Sequence, residues 1–387
     1  MEKTARKPYR KHNSFVELRH KHAEAGKVAL DRIAAVNTRP DLLERLTPAH
    51  REIFAQAVTD IFSDEPKGSE PRFSLSPNVV EEINIVADEA LPRYLVHRYR
   101  YEIFPQQSRV DDFPPYLQIE PSSVCNYRCV FCYETDKTFT RKSAGFMGHM
   151  KLDTFKRVID QAEGRVEFIS LASRGEPLLC ADIVPMLAYT RAKFLNLKMN
   201  TNASLLDEEK SHAILQSGIQ TLVFSADAAT EPLYSKLRVG GKLEKVLANI
   251  KRFKKIREAD YSESTIITRV SGVKLSDEQN LDAMHELWGS LVDQVAFVEY
   301  NPWENTYLQP VNDIGTPCSD LWRRMFVWWD GKVNPCDTDY KSTLSVGGVA
   351  DASLGDLWTG PAYNELRRRH LEGRRHEQFP CNRCTVT

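Results

Sequence analysis

Cys125, Cys129 and Cys132 form a C-x3-C-x2-C triplet that comes after a short strand pattern and Pro121, and no other feature narrows the possible structures of this chain so far. Three thiolates on one loop can grip three irons of a cubane iron-sulfur cluster, which leaves the fourth iron without a protein ligand. A small molecule can chelate that open iron and receive an electron from it. A closed structural zinc site is the alternative use of such a triplet, but it wants a fourth ligand. His149 is the nearest candidate, at no recognised finger spacing.

At 387 residues, with 42% hydrophobic residues, the chain can build two or three compact units with proper cores. Its net charge of −1 supplies no long-range field for nucleic acid or for an anionic membrane surface, so neither is expected as a partner. The basic tail Met1–Lys11 is followed by no apolar core, so it does not read as a signal peptide, and no stretch approaches a membrane span. The eight cysteines, several in tight groups, read as metal ligands in a reducing cytoplasm rather than as disulfides.

Residues 1–114 read as a helical N-terminal region. Ile53, Phe54, Val58, Ile61 and Phe62 form one apolar stripe at helical spacing. Ser76-Pro77 offers an N-cap and a first-turn proline for a helix carrying Val79, Val80, Ile83 and Val86 inward. Between the two, residues 63–71 read as a polar linker. This region suits a helical cap over an enzyme core or a docking module.

From Tyr116 the pattern changes to strand, loop and helix in repetition, and residues 115–305 read as one α/β unit. Strands are expected at 116–120, 166–171, 195–200, 221–225, 265–270 and 294–299. Leu243, Val246, Leu247, Ile250 and Phe253 mark a crossover helix, and Ser276 with Gln279 resembles a capping box. Such alternation demands parallel strands with right-handed crossovers. Six units suit a partial (β/α)6 barrel, open on one side, with its chemistry at the carboxyl ends of the strands. Beyond it, residues 306–387 break into cysteine-bearing and aromatic segments. Met325–Trp329 and Lys332–Pro335 read as strands joined by Asp330-Gly331.

The triplet resembles the signature of the radical S-adenosylmethionine (radical SAM) superfamily, with Phe131 in the slot of the family's aromatic beside the adenine. The loops after the strands extend the resemblance. Gly175-Glu176-Pro177 is similar to the family's G-G-E-P motif, which receives the methionyl ammonium, although Arg174 replaces its first glycine. Thr201-Asn202 resembles the position near the ribose, and Ser225-Ala226-Asp227 resembles the S-x-D that binds ribose hydroxyls. Arg238 stands where relatives place an arginine for the ligand carboxylate. The resemblance implies S-adenosylmethionine on a [4Fe-4S] cluster and a 5′-deoxyadenosyl radical. It also implies an external electron donor such as a flavodoxin or ferredoxin.

Cys318, Gly331 and Cys336, with Cys381 and Cys384, resemble the opening of the SPASM pattern in its shortened twitch form. The likeness implies one auxiliary [4Fe-4S] cluster, saturated by four thiolates and suited to carrying an electron; a four-cysteine zinc site is the plainer alternative. The spacing is similar to that of an aminocyclitol dehydrogenase. The two likenesses together imply two-electron oxidation of a small polyhydroxy substrate. Asp337, directly after Cys336, occupies the position of a base in sulfatase-maturating relatives. Asp339, Glu299 and Arg269 are further candidates, and Trp303, Trp328 and Trp329 could wall the site. Cys180 belongs to neither set and reads as a buried spare thiol, or as a hydrogen-atom donor if the enzyme is an epimerase. A peptide-modifying maturase and a non-catalytic metal scaffold are the other readings.

Overall fold

The computed structural model describes residues 8–9, 15–19, 25–63 and 71–387. Most of the basic tail at residues 1–11 and of the linker at residues 63–71 lies outside the described residues. Six parallel strands run in chain order across the sheet: β2 (Tyr116–Ile119), β3 (Phe168–Leu171), β4 (Asn196–Thr201), β5 (Ile219–Ser225), β6 (Ile267–Lys274) and β7 (Gln294–Glu299). Each pairs in parallel with the next, and helices fill the connections. Side chains from β2 and from β6, well separated in strand order, line one cavity, so the sheet curls into the partial barrel expected from the pattern.

The reason for this architecture is visible in single strands. All four residues of β3 are buried, as a parallel strand covered on both sides requires. On β4 burial alternates: Leu197 and Met199 enter the main core, while Asn196, Lys198 and Asn200 are only partly buried. The helix Leu243–Asp260 buries Leu243, Val246, Ile250 and Phe253 against that core, as its spacing predicts. Gln279 Oε1 does accept from the Ser276 amide, at 3.0 Å. The following helix, however, starts at Leu281 and is capped by Asn280, whose Oδ1 accepts from the Ala283 amide. The residues expected to form a capping box therefore build the turn before the helix.

Two departures from expectation occur at the sheet edges. The N-terminal region is helical over most of its described length, yet Phe15–Arg19 forms β1, antiparallel to β7. Five residues give too short an alternation to stand out from sequence alone. At the other edge, β8 (Arg324–Val327) joins β2 in parallel and turns back as β9 (Lys332–Asn334), with β10 (Gly347–Gly348) beside it. Gly331, at φ 82°, closes the hairpin turn that Asp330-Gly331 announced. The cysteine-bearing C-terminal segment is thus hydrogen-bonded into the barrel sheet.

Helices α1 (Ala25–Asn37), α2 (Pro48–Phe62), α3 (Pro77–Ile85) and α4 (Leu91–Glu102) form a second core. Thr47 caps α2 through the His50 amide, and Pro77 opens α3 directly after Ser76. Phe168, at the start of β3, is buried in this core, touching Tyr94, His97 and Tyr101 of α4, and Tyr116, at the start of β2, packs against it. The helices therefore close the amino-terminal end of the barrel. Phe168→Ala is expected to cost about 3–5 kcal/mol in guanidinium unfolding, and amide exchange should rise first in α4.

Candidate active site

The strands end in short loops, and those loops meet over one cavity of about 410 Å3. Cys125, Cys129, Phe131, Cys132, Gly175, Glu176, Asn202, Ser225 and Arg238 all line it, and so does Asp337 from the C-terminal segment. These residues come from separate loops, far apart in the chain. Trp303 also lines the cavity and fastens its indole N–H to the Phe131 carbonyl at 3.0 Å.

The first cysteine loop is held from two sides. Arg128-Cys129 pairs antiparallel with Arg238-Val239, which brings the Arg238 guanidinium to 3.8 Å from the Cys129 sulfur. The Tyr127 amide donates to the Cys125 sulfur at 3.4 Å. Burial pushes the Cys125 thiol up to about 12, with the Glu176 charge adding to the effect. Cys132 is likewise raised well above its ordinary range by burial, and Cys129 is raised less because Arg238 opposes the shift. Thiols this reluctant to ionise in water become ligands when a metal supplies the countercharge. Donors already aimed at two of the sulfurs suit a thiolate cluster. Among the described residues, no three His, Cys, Asp or Glu side chains are grouped closely enough to hold a single metal ion. His149 is exposed, and its backbone forms a bridge to Ser122.

Glycine at position 175 is compulsory. A Cβ there would lie 2.5 Å from the carbonyl oxygens of Ser122 and Val124, so any side chain would push the G-E-P loop off the cysteine loop. Arg174, which replaces the motif's first glycine, has a different task. It is buried, its backbone N–H, Nε and Nη2 all donate to Glu120, and Nη1 donates to the Tyr340 carbonyl at 2.8 Å. The guanidinium also stacks 4.1 Å from the Trp328 ring. The departure from the motif thus links the barrel to the C-terminal segment.

Glu176 is buried and accepts from the Asn202 amide at 2.7 Å, the Thr201 hydroxyl at 2.6 Å and the Leu178 amide at 3.1 Å. Burial still raises its pKa, because those donors only partly replace water. Asp227 does not line the cavity; it is fully buried, pairs with Arg238 at 2.5 Å and accepts from the Val273 amide at 2.6 Å. Its place is behind Arg238, fixing that side chain rather than facing a ligand.

The other candidates separate clearly. Glu299 is exposed and Arg269, although buried, donates to Gln294 at 2.6 Å; neither lines the cavity. Asp339 is fully buried and accepts from Tyr307, Thr343 and Leu344, a structural arrangement. Cys180 is buried in the main core with its thiol toward the Met150 carbonyl, away from the cavity lining. Lys198 and Arg324 line the cavity although no sequence motif singles them out. A charged residue inside a strand that alternates toward the barrel interior was the available signal.

Around the second cysteine set, Arg375 is buried and donates to the carbonyls of Thr316, Cys381 and Cys384. His370 accepts from the Cys318 amide at 3.1 Å, and burial drives its pKa down to about 3, so it stays neutral. Burial raises Cys318 to about 12, and Arg375 and Cys384 both act electrostatically on it. Cys381 is raised by burial as well, and the charges of Cys384 and Cys318 reach it. Cys318, Cys381 and Cys384 are therefore neighbours in space.

Comparison with known proteins bears on both cysteine sets. Residues 119–285 match the model of the radical SAM superfamily, and residues 318–385 match that of the SPASM iron-sulfur cluster-binding domain, which favours a cluster over zinc at the second set. The chain is 23% identical over 257 residues to GTP 3′,8-cyclase of Listeria welshimeri, covering 64% of this chain and 67% of that protein. Its matches span 61% of a cyclase from Listeria monocytogenes and 56% of one from Clostridium botulinum. It is 24% identical over 301 residues to the tungsten-containing aldehyde ferredoxin oxidoreductase cofactor-modifying protein of Pyrococcus furiosus, covering 65% of this chain and 83% of that one. In fold it is similar to Streptococcus suis SuiB bound to the precursor peptide SuiA, with a TM-score of 0.51 at 17% identity over 82% of this chain and 79% of that one. Gly175→Ala is expected to weaken S-adenosylmethionine binding at least about tenfold in equilibrium dialysis, without loss of helical circular dichroism, because the clash is confined to the loop contact.

Proposed function

Because the chain belongs to the radical SAM superfamily and carries a SPASM-type iron-sulfur domain, we propose that it oxidises a small polyhydroxy substrate, such as a sugar or aminocyclitol, by two electrons. The observation that carries this reading is the reach of Asp337. It follows an auxiliary-cluster cysteine in sequence, yet it lines the same cavity as the C-x3-C-x2-C triplet.

When bound, the first cluster with S-adenosylmethionine supplies a carbon-centred radical that takes a hydrogen atom, and the auxiliary cluster accepts the second electron. Cys125, Cys129 and Cys132 would hold the former; Cys318, Cys336, Cys381 and Cys384 would hold the latter. Glu176, kept in place by Thr201 and Asn202, would receive the methionyl ammonium, and Arg238, braced by Asp227, the carboxylate. Phe131 and Asn202 would border the adenosine with Ser225. Asp337 would take the O–H or N–H proton next to the radical centre, on the side of the substrate that faces the electron acceptor. Trp303, which lines the cavity, would limit water there. A flavodoxin or ferredoxin would deliver the first electron. We place the working boundaries at residues 1–114, 115–305 and 306–387.

Modification of a peptide is the weaker alternative: among the described residues, 25–102 contain helices and no winged-helix strands. Anaerobic reconstitution tests the central claim. Iron and sulfide analysis should give two cubanes per chain, falling to one in the Cys381→Ala/Cys384→Ala double variant; two in that variant would remove the ligand assignment. Asp337→Asn should still form 5′-deoxyadenosine while product falls by about 10²-fold or more, as loss of a general base predicts. Unchanged product formation in that variant would take Asp337 out of the mechanism.

A further inference from the structure

Inside the barrel, one cation has no partner among the described residues. Lys198 lies on β4 and reaches the cavity, but among the described residues no hydrogen bond or ion pair engages its ammonium group. Lysine is rarely enclosed without a partner. The enclosure has a measurable consequence, since desolvation first, then the charges of Arg269 and Arg324, push its pKa down to about 7. Glu82 acts in the opposite direction, but its carboxylate already accepts from the Tyr94 hydroxyl at 2.7 Å.

The surroundings are polar and cationic. Gln118 and Ser170 sit beside Lys198 in register across β2, β3 and β4, and both line the cavity. Arg324 lines it from β8, with Tyr101 and Asp320 behind its guanidinium. Two residues further along β4, the Asn200 side-chain oxygen is buried and accepts nothing among the described residues. Lys198 comes four residues before Asn202, about 13 Å down the strand at about 3.3 Å per residue. That depth separates it from the loops expected to hold S-adenosylmethionine.

We propose that Lys198, backed by Arg324, anchors an oxyanion of the substrate, a carboxylate or a phosphate, so that the enzyme acts on an acid-bearing polyhydroxy compound. The proposal rests on the reading of this cavity as a site for a small polyhydroxy substrate, and it excludes the aminocyclitols from that class. An oxyanion between two cations gains charge-assisted hydrogen bonds in a partly enclosed cavity, whereas a substrate ammonium would meet like charge. The Asn200 oxygen is left to accept from a substrate hydroxyl. A buried acceptor without a donor costs free energy, so that contact is worth forming.

The test is calorimetric titration of the full-length reconstituted protein, saturated with S-adenosylmethionine, with D-gluconate, D-glucose 6-phosphate, D-glucose and D-glucosamine. One of the two acids should bind at least about tenfold more tightly than glucose, with glucosamine weakest, and the better acid tells carboxylate from phosphate. Lys198→Met should bring the acids to within about twofold of glucose, while Lys198→Arg should keep the preference. Equal or undetectable binding of all four by the parent protein overturns the proposal, as does an undiminished preference in Lys198→Met. If Lys198→Met instead loses affinity for S-adenosylmethionine, the anchor serves that molecule and the proposal falls. Formation of 5′-deoxyadenosine by the parent protein is scored separately. Its absence counts against the proposed oxidation and leaves the anion measurement standing.

Discussion

The buried pair of Glu120 and Arg174 is the contact on which the rest of the site depends. Glu120 directly follows the first barrel strand and Arg174 opens the G-E-P loop, and the two meet with essentially no solvent contact. Removing two charges from water is costly, and the Coulomb attraction alone does not guarantee a gain. Here the carboxylate accepts three bonds from Arg174, one of them from its backbone amide, and one from the Trp329 amide, and the third guanidinium contact goes to the Tyr340 carbonyl. Four donors on one carboxylate replace the lost hydration. They also fix the relative positions of the cysteine loop, the G-E-P loop and the C-terminal hairpin.

That geometry explains why a side chain in place of the motif glycine is accommodated at position 174 and would clash at position 175. Position 175 faces two carbonyl oxygens at contact distance, so only glycine fits. Position 174 points toward Glu120 and the Trp328 ring, where a long planar cation is the better occupant. A guanidinium can bond the carboxylate through two nitrogens and still stack on the indole, which an ammonium cannot do.

The barrel was legible because its signal is periodic: the strand from Gln294 to Glu299 falls where the apolar pattern places it, and five others agree to within a few residues. The cysteines and the loop residues were legible because their spacing carries chemistry. Position along the chain could not tell which side chains face inward. Glu299 sits at a strand end like the functional residues, yet is exposed, and Asp227 supports Arg238 instead of lining the cavity. Lys198 escaped notice for the complementary reason, since a lone lysine in a strand has no motif and acquires meaning only when the curled sheet encloses it. The pairing of β8 with β2 was equally hidden, because a parallel contact between segments some two hundred residues apart leaves no local trace.

That hidden pairing has a chemical consequence. Had the cysteine-bearing segment been tethered by a flexible linker, the distance between Asp337 and the first cysteine loop would fluctuate with the tether. Instead β8 continues the barrel sheet in register with β2, and Tyr340 stacks on Tyr133 of the first cysteine loop at 4.9 Å while bonding Asp136 through its hydroxyl. The hairpin that carries Cys336 and Asp337 therefore moves with the barrel. If Asp337 is the base proposed above, it needs to be in place before the radical forms, because reorganisation afterwards would compete with quenching. Backbone pairing of the sheet and the side-chain contact between Glu120 and Arg174 supply that preorganisation.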